Sequence, residues 1–137
     1  MSRRRCCCGE PPDDALICGS CAIPKTNLTL SWTHALSGSG SQPMVYRTDG
    51  FFGERWETAC FNNIRFRLRC VLGNVRFDLV STNGGNCSGT ESYCSTQGSY
   101  PTGLTTISLS CSPFFLQASA SAQCPAFSAY SLLTVTV

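Results

Sequence analysis

The chain is short of charge, of histidine and of long apolar runs, and each shortage removes a class of explanation. Charged residues make up 13% of its 137 positions, against roughly 25% in ordinary globular domains, so hydroxyls rather than ions dominate its polar surface. Ten Lys and Arg against eight Asp and Glu leave a net charge of +2, too little to argue for nucleic acid or membrane adsorption. The single histidine, His34, sits at the end of an apolar strand pattern. A general base also needs an orienting partner and a nucleophile within reach, and no G-x-S-x-G, P-loop or H-E-x-x-H motif is present. Glu54 and Glu57 flank Trp56, but residues three apart on a strand face opposite ways, so they read as surface charge rather than a glycosidase pair. The expectation is a non-enzymatic protein. No window approaches the ~18 apolar residues of a membrane span. The start, Met1 to Pro12, runs from arginines into cysteines and prolines without the apolar core of a signal peptide.

What is abundant is cysteine: eleven residues, about 8% of the chain and near the level of a disulfide scaffold. With no secretion signal, two routes follow. The cysteines bind metal in a reducing cytosol, or they oxidise later, outside the cell, after lysis or non-classical export. Cys18-Gly-Ser-Cys21 has the C-x2-C spacing that wraps a tetrahedral ion, and Cys6 and Cys8 of the Cys6–Cys8 triplet supply two more thiolates for a structural zinc site. The competing reading gives these five cysteines ordinary disulfides, one of them between neighbouring chains because five is odd. The other six, Cys60, Cys70, Cys87, Cys94, Cys111 and Cys124, read as disulfide candidates, and sequential pairing is the simplest of their fifteen connectivities.

Alternation with period two dominates from Lys25 onward, and no helical stripe occurs. Leu28, Leu30 and Trp32 form one face of a strand whose other face is Thr29, Ser31 and Thr33. Residues 38–43 read as a loop, with short strands at 44–47 and near 51–58. The clearest element is a hairpin, Ile64–Leu72 and Val75–Val80, whose Gly73-Asn74 suits a type II′ turn. That turn pairs Leu72 with Val75, Cys70 with Phe77, Leu68 with Leu79 and Arg69 with Asp78. It also puts Arg65, Arg67, Arg69 and Arg76 on one outward face. Residues 81–103 read as a long loop, followed by strands at 104–111, 114–120 and 131–137. About eight short antiparallel strands predict an all-β, single β-sandwich over 25–137, preceded by a Cys-, Arg- and Pro-rich arm over 1–24.

Nine of the ten basic residues are arginine, the residue suited to fixed, planar protein contacts. The outward Arg65, Arg67, Arg69 and Arg76 could touch phosphates, but with one of them paired to Asp78 an inter-subunit contact or a solvated face is favoured, so Arg65, Arg67 and Arg76 mark an interaction surface, with Tyr93 and Tyr100 in the long loop as further contact residues. Trp56 with these tyrosines would make a stacking platform for a carbohydrate, although core or interface use accounts for most aromatics.

The order of motifs is a C-x2-C knuckle, Ile23-Pro24 with a Leu-Thr-Leu strand, Trp-Glu-Thr-Ala-Cys, a charged hairpin, Cys111-Ser-Pro-Phe-Phe-Leu and a terminal Leu-Thr-Val-Thr-Val. From Cys18 onward this layout resembles uncharacterised cysteine-rich β-proteins of planctomycete-type bacteria and their phages or prophages. The resemblance implies a virion component, such as a tail, tail-tip or decoration protein, made in the host cytoplasm and released by lysis. Its partners would be other protein subunits or copies of itself. The alternative expectation is an extracellular or cell-surface, lectin-like module.

Overall fold

The computed structural model describes residues 14–36, 38–96, 104–120 and 130–137. Strands dominate it: β1 (Ala15–Cys18), β2 (Cys21–Pro24), β3 (Leu28–His34), β4 (Gly38–Arg47), β5 (Arg55–Glu57), β6 (Ile64–Val71), β7 (Asn74–Gly84), β8 (Ser88–Ser95), β9 (Leu104–Cys111), β10 (Phe114–Ala120) and β11 (Tyr130–Thr136). A 3-10 turn at Gly85–Cys87 joins β7 to β8. No helix among the described residues is long and apolar enough to cross a membrane. β1 and β2 form a separate hairpin, and the other nine strands make one antiparallel sheet in the order β8-β7-β6-β5-β4-β3-β11-β10-β9. The all-β, antiparallel expectation is met, with eleven strands among the described residues in place of about eight, nine of them in one continuous sheet.

That sheet curls onto itself. Phe66 on β6 and Tyr130 on β11 stand four strand positions apart in the sheet, which on a flat sheet would separate them by roughly 19 Å at about 4.8 Å per strand. Their ring centroids are 5.8 Å apart. Phe61, just before β6, stacks on Trp32 of β3 at 5.3 Å. β4 makes the bend possible because its two ends serve different neighbours: Gly38–Met44 pairs with β3 and Val45–Arg47 with β5. Pro43 lies before the stretch that pairs with β5, a position where a missing N–H is tolerated in a sheet.

Several expectations change here, for identifiable reasons. Residues 38–43, read as a loop, are the first half of β4. Their Gly and Ser content marks not a turn but a strand lying beneath the Trp32 indole. The long loop expected at 81–103 is instead, over its described part, the end of β7, the 3-10 turn and β8. Its strands lack apolar alternation because β8 is exposed until Tyr93. Ala15–Pro24, expected to be irregular, is the β1–β2 hairpin, and its Ile23 is buried in the same core as β3 and β6.

The β6–β7 hairpin forms with a different register. Val71 pairs with Asn74, Cys70 with Val75, Arg69 with Arg76, Leu68 with Phe77 and Arg67 with Asp78. The turn is Leu72-Gly73, both at positive φ (52° and 79°), the signature of a type I′ turn in place of the expected II′. The partners therefore move by two residues. An even shift preserves faces, so Ile64, Phe66, Leu68, Phe77 and Leu79 still line the core, all of them buried.

The disulfides join Cys18 to Cys70, Cys21 to Cys111 and Cys60 to Cys87, and Cys94 is disulfide-bonded as well. Sequential pairing is corrected: Cys60 does not join Cys70, Cys87 does not join Cys94, and Cys111 is taken by Cys21 rather than Cys124. The β1–β2 hairpin is instead stapled to two distant points, spanning 52 and 90 residues of sequence. In the chain-entropy model, closing loops of that size stabilises the fold by about 4–5 kcal/mol each before strain and coupling. Gly19 at the hairpin tip touches the β6–β7 turn so closely that a Cβ would stand 2.7 Å from the Gly73 carbonyl oxygen.

Candidate functional site: an arginine layer, a free edge and a hydroxyl face

The strands β5 to β8 have two faces, and the one turned from the aromatic core carries the charge. Strand parity puts Arg55 and Glu57 of β5 on it, with Arg65, Arg67 and Arg69 of β6 and Arg76 and Asp78 of β7; Trp56, between Arg55 and Glu57, faces the core and is 0% exposed. The sequence reading made this face outward. It is in fact largely withdrawn from water, with Arg67 3% exposed and Arg55, Glu57, Arg76 and Asp78 also buried.

Each buried carboxylate serves two guanidinium groups. Glu57 accepts from Arg67 Nε at 2.8 Å and from Arg55 Nε at 3.4 Å. Asp78 accepts from Arg76 Nε at 2.9 Å, Arg69 Nη2 at 3.2 Å and the Ser95 hydroxyl at 2.6 Å. Arg69 and Arg76 are direct cross-strand partners, a like-charge pairing that would destabilise the sheet if Asp78 did not bond both. Phe52 covers the layer: its ring centroid lies 3.8 Å from the Arg67 guanidinium carbon and 4.9 Å from that of Arg69, within cation–π range. Nearby, Asp49 bonds Arg47 in an exposed pair at 2.9 Å. The hydrogen bond from Arg47 holds the Asp49 carboxyl below the ordinary carboxylate range.

Glu54 faces elsewhere. It accepts the Tyr46 hydroxyl and lies 3.4 Å from Lys25 Nζ. Burial, then the hydrogen bond to Glu54, push the Tyr46 hydroxyl up to about 12. Glu57, read as surface charge, belongs to the buried layer because it stands on a strand covered on both sides.

At the opposite end of the sheet, β9 pairs only with β10 among the described strands. Residues 105–110 are exposed along their whole length, including Ile107 at 54% and Leu109 at 44%. On the outer face of β4, β3 and β11, a groove of about 440 Å³ is lined chiefly by Ser31, Thr33, Ser39, Ser41, Leu132 and Thr134. Its lining carries no charge.

The other sequence candidates fall as follows. Cys18 and Cys21, read with Cys6 and Cys8 as zinc ligands, are both oxidised, and a disulfide sulfur is not the thiolate that zinc needs. Cys6, Cys8, Tyr100 and Cys124 lie outside the described residues. No group of three or more potential metal ligands occurs among the described residues. Tyr93, half-buried on β8, donates its hydroxyl to Glu91; Trp56 on β5 is 0% exposed, its indole N–H donating to the Thr26 carbonyl at 2.9 Å, so its face is closed to a sugar. His34 ends β3, with Nδ1 accepting the Leu36 N–H at 3.1 Å and its ring set edgewise against Tyr130. The hydroxyl groove and the free β9 edge escaped the sequence reading. The period-two Ser/Thr positions at 29–33 and 132–136 were the signal for the first. No known protein family, curated protein or solved structure matches this chain.

Proposed function

We propose that this protein is a non-enzymatic structural subunit of a larger assembly, with the two halves of its curled sheet acting as a sandwich-like body. A virion component such as a tail, tail-tip or decoration protein, made in the host cytoplasm and released by lysis, fits that role. The observation that carries the reading is the β9 edge. A long strand that pairs only with β10 among the described strands and exposes Ile107 and Leu109 is what soluble proteins normally avoid, and it is a ready template for another subunit's strand. Disulfide stapling suits a particle that persists outside the cell. Light scattering over a concentration series tests the reading: the wild type associates, and Leu109→Lys, on an exposed position, stays monomeric with an unchanged melting curve. A wild type that remains monomeric at high concentration would end it.

A second reading, an extracellular lectin-like adhesive module, is favoured by the uncharged hydroxyl groove over β3, β4 and β11. Hydroxyls and amides recognise sugars through hydrogen bonds without needing charge. A glycan array separates the two readings, since binding lost in Ser31→Arg but retained in Leu109→Lys would place recognition in the groove.

A further inference from the structure

The arginine layer has more donors than its own carboxylates can satisfy. Four guanidinium groups, from Arg55, Arg67, Arg69 and Arg76, share the two buried carboxylates of Glu57 and Asp78, Arg55 also reaching Asp49 at 3.4 Å, and a fifth, Arg65, stands half-buried on the same face. The surplus is visible atom by atom: Arg67 Nη1, Arg69 Nε and Arg65 Nε are buried without a hydrogen-bond partner. Buried donors are almost always satisfied, so three guanidinium N–H groups without a partner among the described residues, gathered on one sheet face, call for an anion.

We propose that this layer is a binding site for one phosphate- or sulfate-type oxyanion, held by Arg67 Nη1 and Arg69 Nε, with Phe52 as the cover that lifts to admit it. Guanidinium N–H groups match such oxygens in charge and in planar, two-pronged geometry. Arg67 and Arg69 are two residues apart on one face of β6, and both reach the Phe52 ring, so a tetrahedral anion taking that ring's place meets both. Four oxygens in different planes serve two guanidinium groups better than the two of a carboxylate.

The cover is built to move without loosening its base. Phe51 and Phe52 lie between Gly50 and Gly53, both at positive φ (79° and 66°), the conformation only glycine adopts freely. The Gly53 N–H closes the turn on the Gly50 carbonyl at 3.3 Å. Arg55 Nη1 donates to the Asp49 and Gly53 carbonyls, the latter at 2.8 Å, pinning both flanks of the turn while the two phenylalanines stay outside those bonds. Phe51 is almost fully exposed, so nothing on its side holds the turn down.

Calorimetric titration of the full chain with inorganic phosphate, and separately with sulfate, against chloride at matched ionic strength, tests this. One saturable site is expected, several-fold tighter in Phe52→Ala, where the cover is gone, and weaker by about tenfold or more in Arg67→Lys, which keeps the charge but loses the Nη donors. Should Arg67→Lys fail to melt cooperatively, Arg69→Lys takes its place. No saturable binding in both the wild type and Phe52→Ala, or full-strength binding in the lysine variants, would overturn the site. Titration with a sugar phosphate and a sulfated oligosaccharide then identifies the source: affinity above that of the free ions points to an anion carried on a larger molecule, and equal affinity to the free ion.

Discussion

Gly40 lies directly against the indole of Trp32, its cross-strand partner: a Cβ at residue 40 would stand 2.5 Å from Trp32 Cζ2. The ring cannot simply move aside, because Phe61 stacks on it and Tyr130 meets it edge-on. Gly40→Ala is therefore expected to destabilise by about 1–3 kcal/mol, the usual cost of overpacking, although alanine loses less backbone entropy than glycine. Chemical denaturation measures it, and a neutral result would mean that the indole is free to shift.

Leu72 stands at positive φ and is 96% exposed, so its side chain contributes strain without burial. Leu72→Asn would create Asn-Gly, the favoured type I′ pair. A gain of about 0.5–1 kcal/mol is expected, read as a shift in the denaturation midpoint at constant slope. A loss of stability would contradict the turn assignment and return the hairpin to the Gly73-Asn74 register.

Glu57 is the shared counter-ion of Arg55 and Arg67, and removing its charge takes the buried carboxylate from both, leaving Arg55 with Asp49. Glu57→Gln should cost about 3 kcal/mol or more, as breaking buried pairs does. Asp49→Asn, in the exposed pair with Arg47, should cost under about 1 kcal/mol. Equal effects in urea denaturation would show that the layer is as well solvated as the surface pair.

Tyr46 ionises at about 12 in the folded chain and near 10 when unfolded. Its neutral form is thus favoured by folding: the contribution is full below pH 10 and is lost as pH rises through about 12. Stability should fall over that window, and Tyr46→Phe should flatten the fall, with tyrosinate absorbance reporting the wild-type transition. An identical alkaline profile for both proteins would assign the loss to other groups.

The faces of the strands were legible in the sequence because strand side chains alternate with a period of two. Leu28 and Leu30 are buried opposite Thr29, and Phe66 and Leu68 opposite Arg65 and Arg67, as alternation requires. Even the two-residue error in the β6–β7 register left those faces unchanged. What alternation does not carry is how water is divided between the two faces. The arginines on β6 were read as an outward interaction surface, yet Phe52 and the neighbouring strands bury Arg67 and half-bury Arg65 and Arg69, and only a tertiary neighbour could do so.

The cysteines show the same division most clearly. Their number raised, from the sequence alone, the expectation that a small β-protein here would be held together by its cysteines, through a metal or through disulfides. The partners were decided by the tertiary structure, because a disulfide forms only where two Cβ atoms approach within bonding reach, and the docking of the separate β1–β2 hairpin on the curled sheet brings Cys18 to Cys70 and Cys21 to Cys111, 52 and 90 residues apart. The sequence thus determined the strand faces, which are a local property, and raised the expectation of a fold held by its cysteines. Register, the buried arginine layer and the disulfide pairing were left to the fold, because each depends on distances between residues far apart in the chain.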